Sequence, residues 1–217
     1  MKRFKYPRTH HLPWSLGATS DDKTHSPATI ESMFSGKEVI VTEKLDGENS
    51  TIYPDGYSHA RSVHSTHHPS RSQLKSLAAK IFFNIPEGFR ICGENVFAKH
   101  SIAYDKLEAF FYVFSIFDGE TCLSWSETQE YAALLEIPTV PILYQGIWDE
   151  TLVRKCWNGQ TSLGETSEGY VVRLASTFTL QEFRKSVAKY VRANHVQTDT
   201  HWMHQALQPN KLKTPGQ

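Results

Sequence analysis

The chain has 217 residues, of which 39% are hydrophobic and 12% aromatic; that suffices for one large folded domain and is too apolar for general disorder. Its formal net charge of +0 excludes a whole-molecule field that would draw in nucleic acid, so any such surface must be a local basic patch. Three widely spaced cysteines, Cys92, Cys122 and Cys156, fit reduced thiols in a cytoplasmic protein better than a disulfide framework, and neither a transmembrane-length run nor a signal-peptide core is present.

Residues 1–36 are rich in His, Pro, Ser and Thr and read as an irregular segment. Lys37-Glu38-Val39-Ile40-Val41-Thr42 is short and β-branched, the composition of a strand. Ser50 to Tyr53 and Tyr57 to Val63 flank Pro54-Asp55-Gly56 and predict a hairpin, with Arg61 on a strand beside the one that carries Lys44. From Arg71 to Asn84, Leu74, Leu77, Ala78 and Ile81 recur at helical spacing. Arg61, Arg71, Lys75 and Lys80 form a candidate basic patch, with an ordinary solvated helix face as the other reading. Phe110 to Phe117 is apolar on both faces, as in a central strand. Ser126-Glu127-Thr128-Gln129 has the pattern of a capping box opening a second helix, which Ile137-Pro138 ends. Pro141 to Tyr144 and Gly169 to Leu174 read as strands. Leu180, Phe183, Val187 and Tyr190 fit a helical repeat as well as a strand. The remainder, 193–217, reads as a loose polar tail too short for a further domain, so that 1–217 is one domain.

The chemistry concentrates at Thr42-Glu43-Lys44-Leu45-Asp46-Gly47-Glu48-Asn49. A lysine at a strand end can act as a nucleophile once its amine is freed of its proton, and Gly47 lets the backbone turn or approach a ligand. A solvated Lys-x-Asp-Gly turn is the plain alternative, and for Asp46 a local Asx hydrogen bond. Clustered histidines at His64, His67 and His68 lack cysteine partners at zinc spacing, and no GxxxxGK[ST] loop is present.

The Lys-x-Asp-Gly string resembles the first signature of the covalent nucleotidyltransferases, and its longer context resembles the RNA ligase 2 family. Ala60-Arg61-Ser62, Cys92-Gly93-Glu94-Asn95, Phe111-Tyr112-Val113-Phe114, Glu168-Gly169-Tyr170-Val171-Val172-Arg173 and Val187-Ala188-Lys189-Tyr190 follow in that family's order, across about residues 37–192. The resemblance implies an α+β adenylation domain of two antiparallel-rich sheets with flanking helices and the nucleotide between them. It implies an ATP-dependent RNA ligase that joins 3′-hydroxyl and 5′-phosphate RNA ends through a lysyl-AMP and an adenylylated RNA end, as in RNA repair.

By the same resemblance Lys44, Asp46, Glu168 and Lys189 are catalytic. Glu43, Asn49, Arg61, Glu94, Phe114, Lys185 and Lys189 join Lys44 in holding ATP. Glu168 holds Mg²⁺, with Mn²⁺ as a substitute, and Arg61 and Arg192 reach the RNA. Phe114 is the adenine platform by register; without it Phe111, Tyr112 and Phe117 compete. Ser115 stands where an acid often follows that aromatic. The family often shows two lysines separated by one residue here; Val187 and Val191 stand at those offsets from Lys189, with Lys185 and Arg192 as substitutes for the missing neighbour. Other readings are a nucleotide- or RNA-binding module that keeps the fold without completing ligation, and a DNA ligase or capping-type nucleotidyltransferase. A protein partner in place of a second domain is a further expectation.

Overall fold

The computed structural model describes residues 2–193 and 206–214. Its elements are β1 (His10–His11), α1 (Pro27–Phe34), β2 (Glu38–Lys44), β3 (Glu48–Ile52), β4 (Ser58–Ala60), α2 (Ser72–Ile81), β5 (Phe89–Asn95) and β6 (Phe111–Asp118). They continue with β7 (Thr121–Cys122), α3 (Trp125–Leu134), β8 (Ile142–Ile147), α4 (Glu150–Lys155), β9 (Gly169–Leu174), β10 (Phe178–Thr179) and β11 (Val187–Val191). The strands form a five-stranded sheet ordered β1-β11-β9-β2-β8 and a six-stranded sheet ordered β10-β7-β6-β5-β3-β4. All neighbours pair antiparallel except β1 with β11. This is the expected α+β architecture.

Each sheet buries apolar side chains against helices because its strands alternate. Val39, Val41 and Val172 pack with Ile30, Met33 and Phe34 of α1 and with Trp148. Leu74, Ala78 and Ile81 of α2 meet Ile52, Ile91 and Ile116 of the second sheet. No helix among the described residues is long and apolar enough to cross a membrane.

Several sequence expectations shift. The N-terminal segment is not irregular throughout: α1 starts at Ser26, whose hydroxyl accepts from the Thr29 amide, and β1 joins the first sheet. The second helix is capped two residues earlier than the pattern implied, by Ser124 with Glu127 as its reciprocal partner. The run near residue 187 is a strand; only Phe183–Lys185 forms a helical turn, a 3-10 one. The β3–β4 hairpin belongs to the other sheet from Lys44, and Arg61 lies just past its end. Arg71 leaves the basic patch, since it is buried and gives its Nε to Glu48 Oε2 at 2.6 Å.

The tail is also not uniformly loose. Trp202 and Met203 lie outside the described residues, but 208–213 straps the loop that follows β5. The Lys99 amide donates to the Gln208 carbonyl (2.8 Å), Asn210 to Phe97 (2.8 Å) and Lys211 to Tyr104 (2.9 Å). The Asn210 side chain, 5% exposed, accepts from the Tyr104 amide and donates to the Val96 carbonyl, each at 2.9 Å. Asn210→Ala would leave both groups buried and unpaired, and is expected to lower stability by about 2–4 kcal/mol in urea unfolding. An unchanged midpoint would show that the strap contributes nothing.

Candidate active site

A cleft of about 810 Å³ opens between the two sheets, within the size range of small-ligand sites. Its first wall follows from the period of two. Thr42 and Lys44 on β2, Val171 and Arg173 on β9, and Val187 and Lys189 on β11 are alternate residues, and registers such as Thr42↔Val171 and Lys189↔Val171 put them on one face. The opposite wall carries Glu48 and Asn49 of β3, Glu94 of β5 and Phe114 and Ser115 of β6. Asn49 and Glu94 are direct cross-strand partners.

Lys44 ends β2 opposite Gly169, so its ammonium meets the carboxylate of the neighbouring Glu168 in an ion pair and hydrogen bond. On its other side Gly169 permits the close approach of β11, because a Cβ there would lie 2.1 Å from the Tyr190 carbonyl oxygen. Burial alone would lower the Lys44 pKa, but Glu168, Glu94 and Asp46 outweigh it and hold the pKa above the ordinary lysine value. Burial pushes the Glu94 carboxyl up to about 8, against the pull of Lys44 and with the repulsion of Glu168 and Asp46. Glu94 Oε1 accepts from the Gly47 amide at 3.2 Å. Lys189 is shifted the opposite way, to about 8, by burial first and then by Lys44. Burial likewise raises Glu43 to about 7; its Oε2 accepts from Thr161 at 2.9 Å while Oε1 is buried without a partner.

Asp46 acts over a longer range than an Asx turn. One oxygen, Oδ2, accepts from the Ser101 amide (2.8 Å), the Ser101 hydroxyl (2.7 Å) and the Ile102 amide (2.7 Å), and its own amide donates to Tyr104 Oη at 2.9 Å. Gly47 lines the cleft and also serves close packing, since a Cβ would sit 2.5 Å from the Asn95 carbonyl oxygen. Phe114 lines the cleft with Tyr6 edge-on at 5.0 Å; Phe111, Tyr112 and Phe117 are buried core.

The substitutes for a second lysine on β11 are displaced. Lys185 is exposed on the 3-10 turn and outside the cleft lining. Arg192 is outside the lining too, with its amide on the Glu168 carbonyl at 3.0 Å. The residue opposite Val187 is Arg173, which sequence reasoning quoted but left unused. Its guanidinium donates to the Leu123 carbonyl at 2.6 Å and the Phe114 carbonyl at 3.4 Å, tying the two sheets at the cleft floor. Arg8 and Asp22, from the N-terminal segment, also line the cleft and carried no sequence signal, because only the β1–β11 pairing brings them there.

The donor set suits a hard divalent cation bound partly through substrate phosphates. Glu168 and Glu94 flank Lys44, and the buried Asn49 Oδ1 across from Glu94 has no hydrogen-bond partner. No cluster of three or more His, Cys, Asp or Glu side chains able to hold a metal occurs among the described residues.

Two sheets enclosing a cleft with a strand-end lysine define a nucleotidyltransferase-type ligase fold. Residues 37–191 match the RNA ligase family, and the chain belongs to it. It is similar to a Naegleria gruberi RNA ligase mutant solved with ATP and Mn (19% identity, TM-score 0.60, covering 86% of this chain and 55% of that one). It is also similar to a putative ATP-dependent DNA ligase from Aquifex aeolicus (21%, TM-score 0.59, 88% and 50%) and an archaeal ATP-dependent RNA ligase (17%, TM-score 0.55, 86% and 48%). The chain thus spans about half the length of these structures. No curated protein sequence matches.

The opposed shifts of the two lysines are measurable. In competitive acetylation over a pH series, Lys189 should reach half-maximal reactivity near pH 8, with Lys44 trailing the ordinary lysines. Peptide mass spectrometry reads both, and Lys44 reacting first would refute the charge arrangement. For Glu43, the raised pKa means its stabilising contribution is complete below 4.5 and lost as pH rises through about 7. Glu43→Gln should therefore gain melting temperature relative to the parent as pH rises through that window; a difference constant with pH would exclude it.

Proposed function

We propose that this chain carries the nucleotidyl-transfer chemistry of an ATP-dependent RNA ligase, with Lys44 as the nucleophile. The observation that carries the reading is a lysine at a strand end, inside the inter-sheet cleft, ion-paired to Glu168 beside Glu94.

Lys44 Nζ attacks the α-phosphorus of ATP, forming a nitrogen–phosphorus bond as the bond to the β-phosphate oxygen breaks and pyrophosphate leaves with that electron pair. The ammonium must lose a proton first, and Glu168, already hydrogen-bonded to Nζ, is the acceptor at hand. The approach of Lys189 favours that loss, since a second cation lowers an ammonium pKa. An RNA 5′-phosphate oxygen then attacks the same phosphorus and the lysine departs, regaining a proton. Finally a 3′-hydroxyl attacks the RNA 5′-phosphorus, a phosphodiester forms and AMP leaves.

In these transfers positioning and charge neutralisation supply most of the catalysis. Mg²⁺ or Mn²⁺ bound through Glu168 would neutralise phosphate charge. Asn49 and Glu94 stand on the wall facing Lys44 to orient the nucleotide, and the Phe114 ring offers the base a stacking face. Arg61, exposed at the rim, is suited to a phosphate of the nucleotide or of the RNA end. Arg192 lies outside the cleft lining, so an RNA contact there would extend beyond the nucleotide site.

Incubation with Mg²⁺ and ATP labelled at the α-phosphate should transfer label to the protein, and Lys44→Ala should abolish it. Absence of label on folded protein free of prior adenylylation would sink the nucleophile assignment and favour a nucleotide-binding module. Duplexes nicked beside an RNA or a DNA 3′-hydroxyl decide the polynucleotide: equal sealing would remove the RNA preference.

A further inference from the structure

Among the described residues, four cations line the cleft without a carboxylate hydrogen-bonded to them; Arg173 spends its guanidinium on backbone carbonyls, which leaves Arg8, Arg61 and Lys189. They come from three separated parts of the chain, and Arg8 precedes the family-matching region altogether. Lys189 feels the repulsion of Lys44 and Arg61 together with the pull of Asp22 and Glu168, and Arg61 in turn feels Arg8. Lys44 itself is answered by the carboxylates Glu168, Glu94 and Asp46. Asp22, also in the lining, is engaged locally: its Oδ2 accepts from the Thr19 hydroxyl at 3.0 Å and amide at 3.2 Å, and its Oδ1 lies 3.6 Å from His11 Nε2.

The backbone around Arg8 is anchored on both sides. Two residues before it, the Tyr6 ring sits edge-on to Phe114 and Phe183 at 5.0 and 5.3 Å. Just after it, β1 pairs with the strand of Lys189, and the Leu12 amide donates to the Lys189 carbonyl at 2.7 Å. Between these anchors the Arg8 side chain is exposed, with a single 3.4 Å hydrogen bond to the Asp21 carbonyl against five N–H donors. A guanidinium held in place at the mouth of a nucleotide cleft, with most donors unspent, matches a phosphate at the far end of a polyphosphate.

We propose that Arg8, with Arg61, binds the β- and γ-phosphates of ATP and steadies the pyrophosphate as it leaves Lys44. This rests on the nucleotide-transfer reading above. The N-terminal segment thereby becomes part of the nucleotide site, discriminating a nucleoside triphosphate from its monophosphate.

Calorimetric titration of the parent and Arg8→Ala with α,β-methylene-ATP and with AMP, each with Mg²⁺, tests binding without turnover. Arg8→Ala should weaken the triphosphate analogue about tenfold or more and leave AMP unchanged, with Arg8→Lys intermediate. Equal affinities in parent and variant, or equal losses for both ligands, overturn the proposal. A second arm joins a pre-adenylylated 5′ RNA end to a 3′-hydroxyl: the variant should match the parent there, and a loss confined to this arm would assign Arg8 to RNA phosphate instead. The analogue titration stands even if the parent takes no label from ATP, so failure of the transfer reading and failure of the Arg8 assignment are told apart.

Discussion

The ammonium of Lys44 and the carboxylate of Glu168 meet where β2 and β9 run side by side, and much of the cleft exists to make that meeting tolerable. A charged lysine buried among apolar strands would be driven to lose its proton, and a buried glutamate to gain one. Paired, with Glu94 and Asp46 close by, the lysine instead holds its proton more firmly than in water. The lysine proposed as the nucleophile is therefore locked in its protonated form at rest. Bringing in anionic phosphates and a divalent cation would redistribute those charges, which couples ligand binding to release of the amine. Lys189, whose pKa is depressed to about 8, shows the same lowering by burial prevailing where carboxylates are weaker neighbours.

Around this pair the chain builds support from distant segments. Asp46 grips the backbone at Ser101 and Ile102, Tyr104 returns a hydrogen bond to the Asp46 amide, and Asn210 grips Tyr104 and Val96. The turn after Lys44 is thus braced by residues more than fifty positions away, then by residues a further hundred along. On the other side the buried Arg173 of β9 donates to the Phe114 carbonyl of β6 and to the Leu123 carbonyl just past β7, adding to the core packing that joins the two sheets.

The N-terminal segment changes from a preface into a wall. Its parallel pairing with β11 needs only two residues, His10–His11, yet it brings Tyr6, Arg8 and Asp22 to the cleft. Together with Arg61 and Lys189 it turns a cleft with a carboxylate-rich centre into one with a cationic exit, a polarity suited to a ligand with a base at one end and negative charge at the other.

By itself the sequence determined the strand of Lys44, the apolar run of β6, the amphipathic α2 and the ordered signatures that mark the RNA ligase family, because each is encoded locally in period, β-branching or motif spacing. Only the tertiary structure decided what those signatures face. Whether Lys185, Arg192 or Arg173 stands beside Lys189 depends on strand register, which a one-residue slip would reverse. The two-residue shift of the α3 cap arose because two serines could each serve, and Ser124 is the one whose partner, Glu127, can reach back. The β1 pairing, the 208–213 strap and the buried Arg71–Glu48 pair left no local trace, since each joins segments whose attraction arises only once the sheets between them have formed.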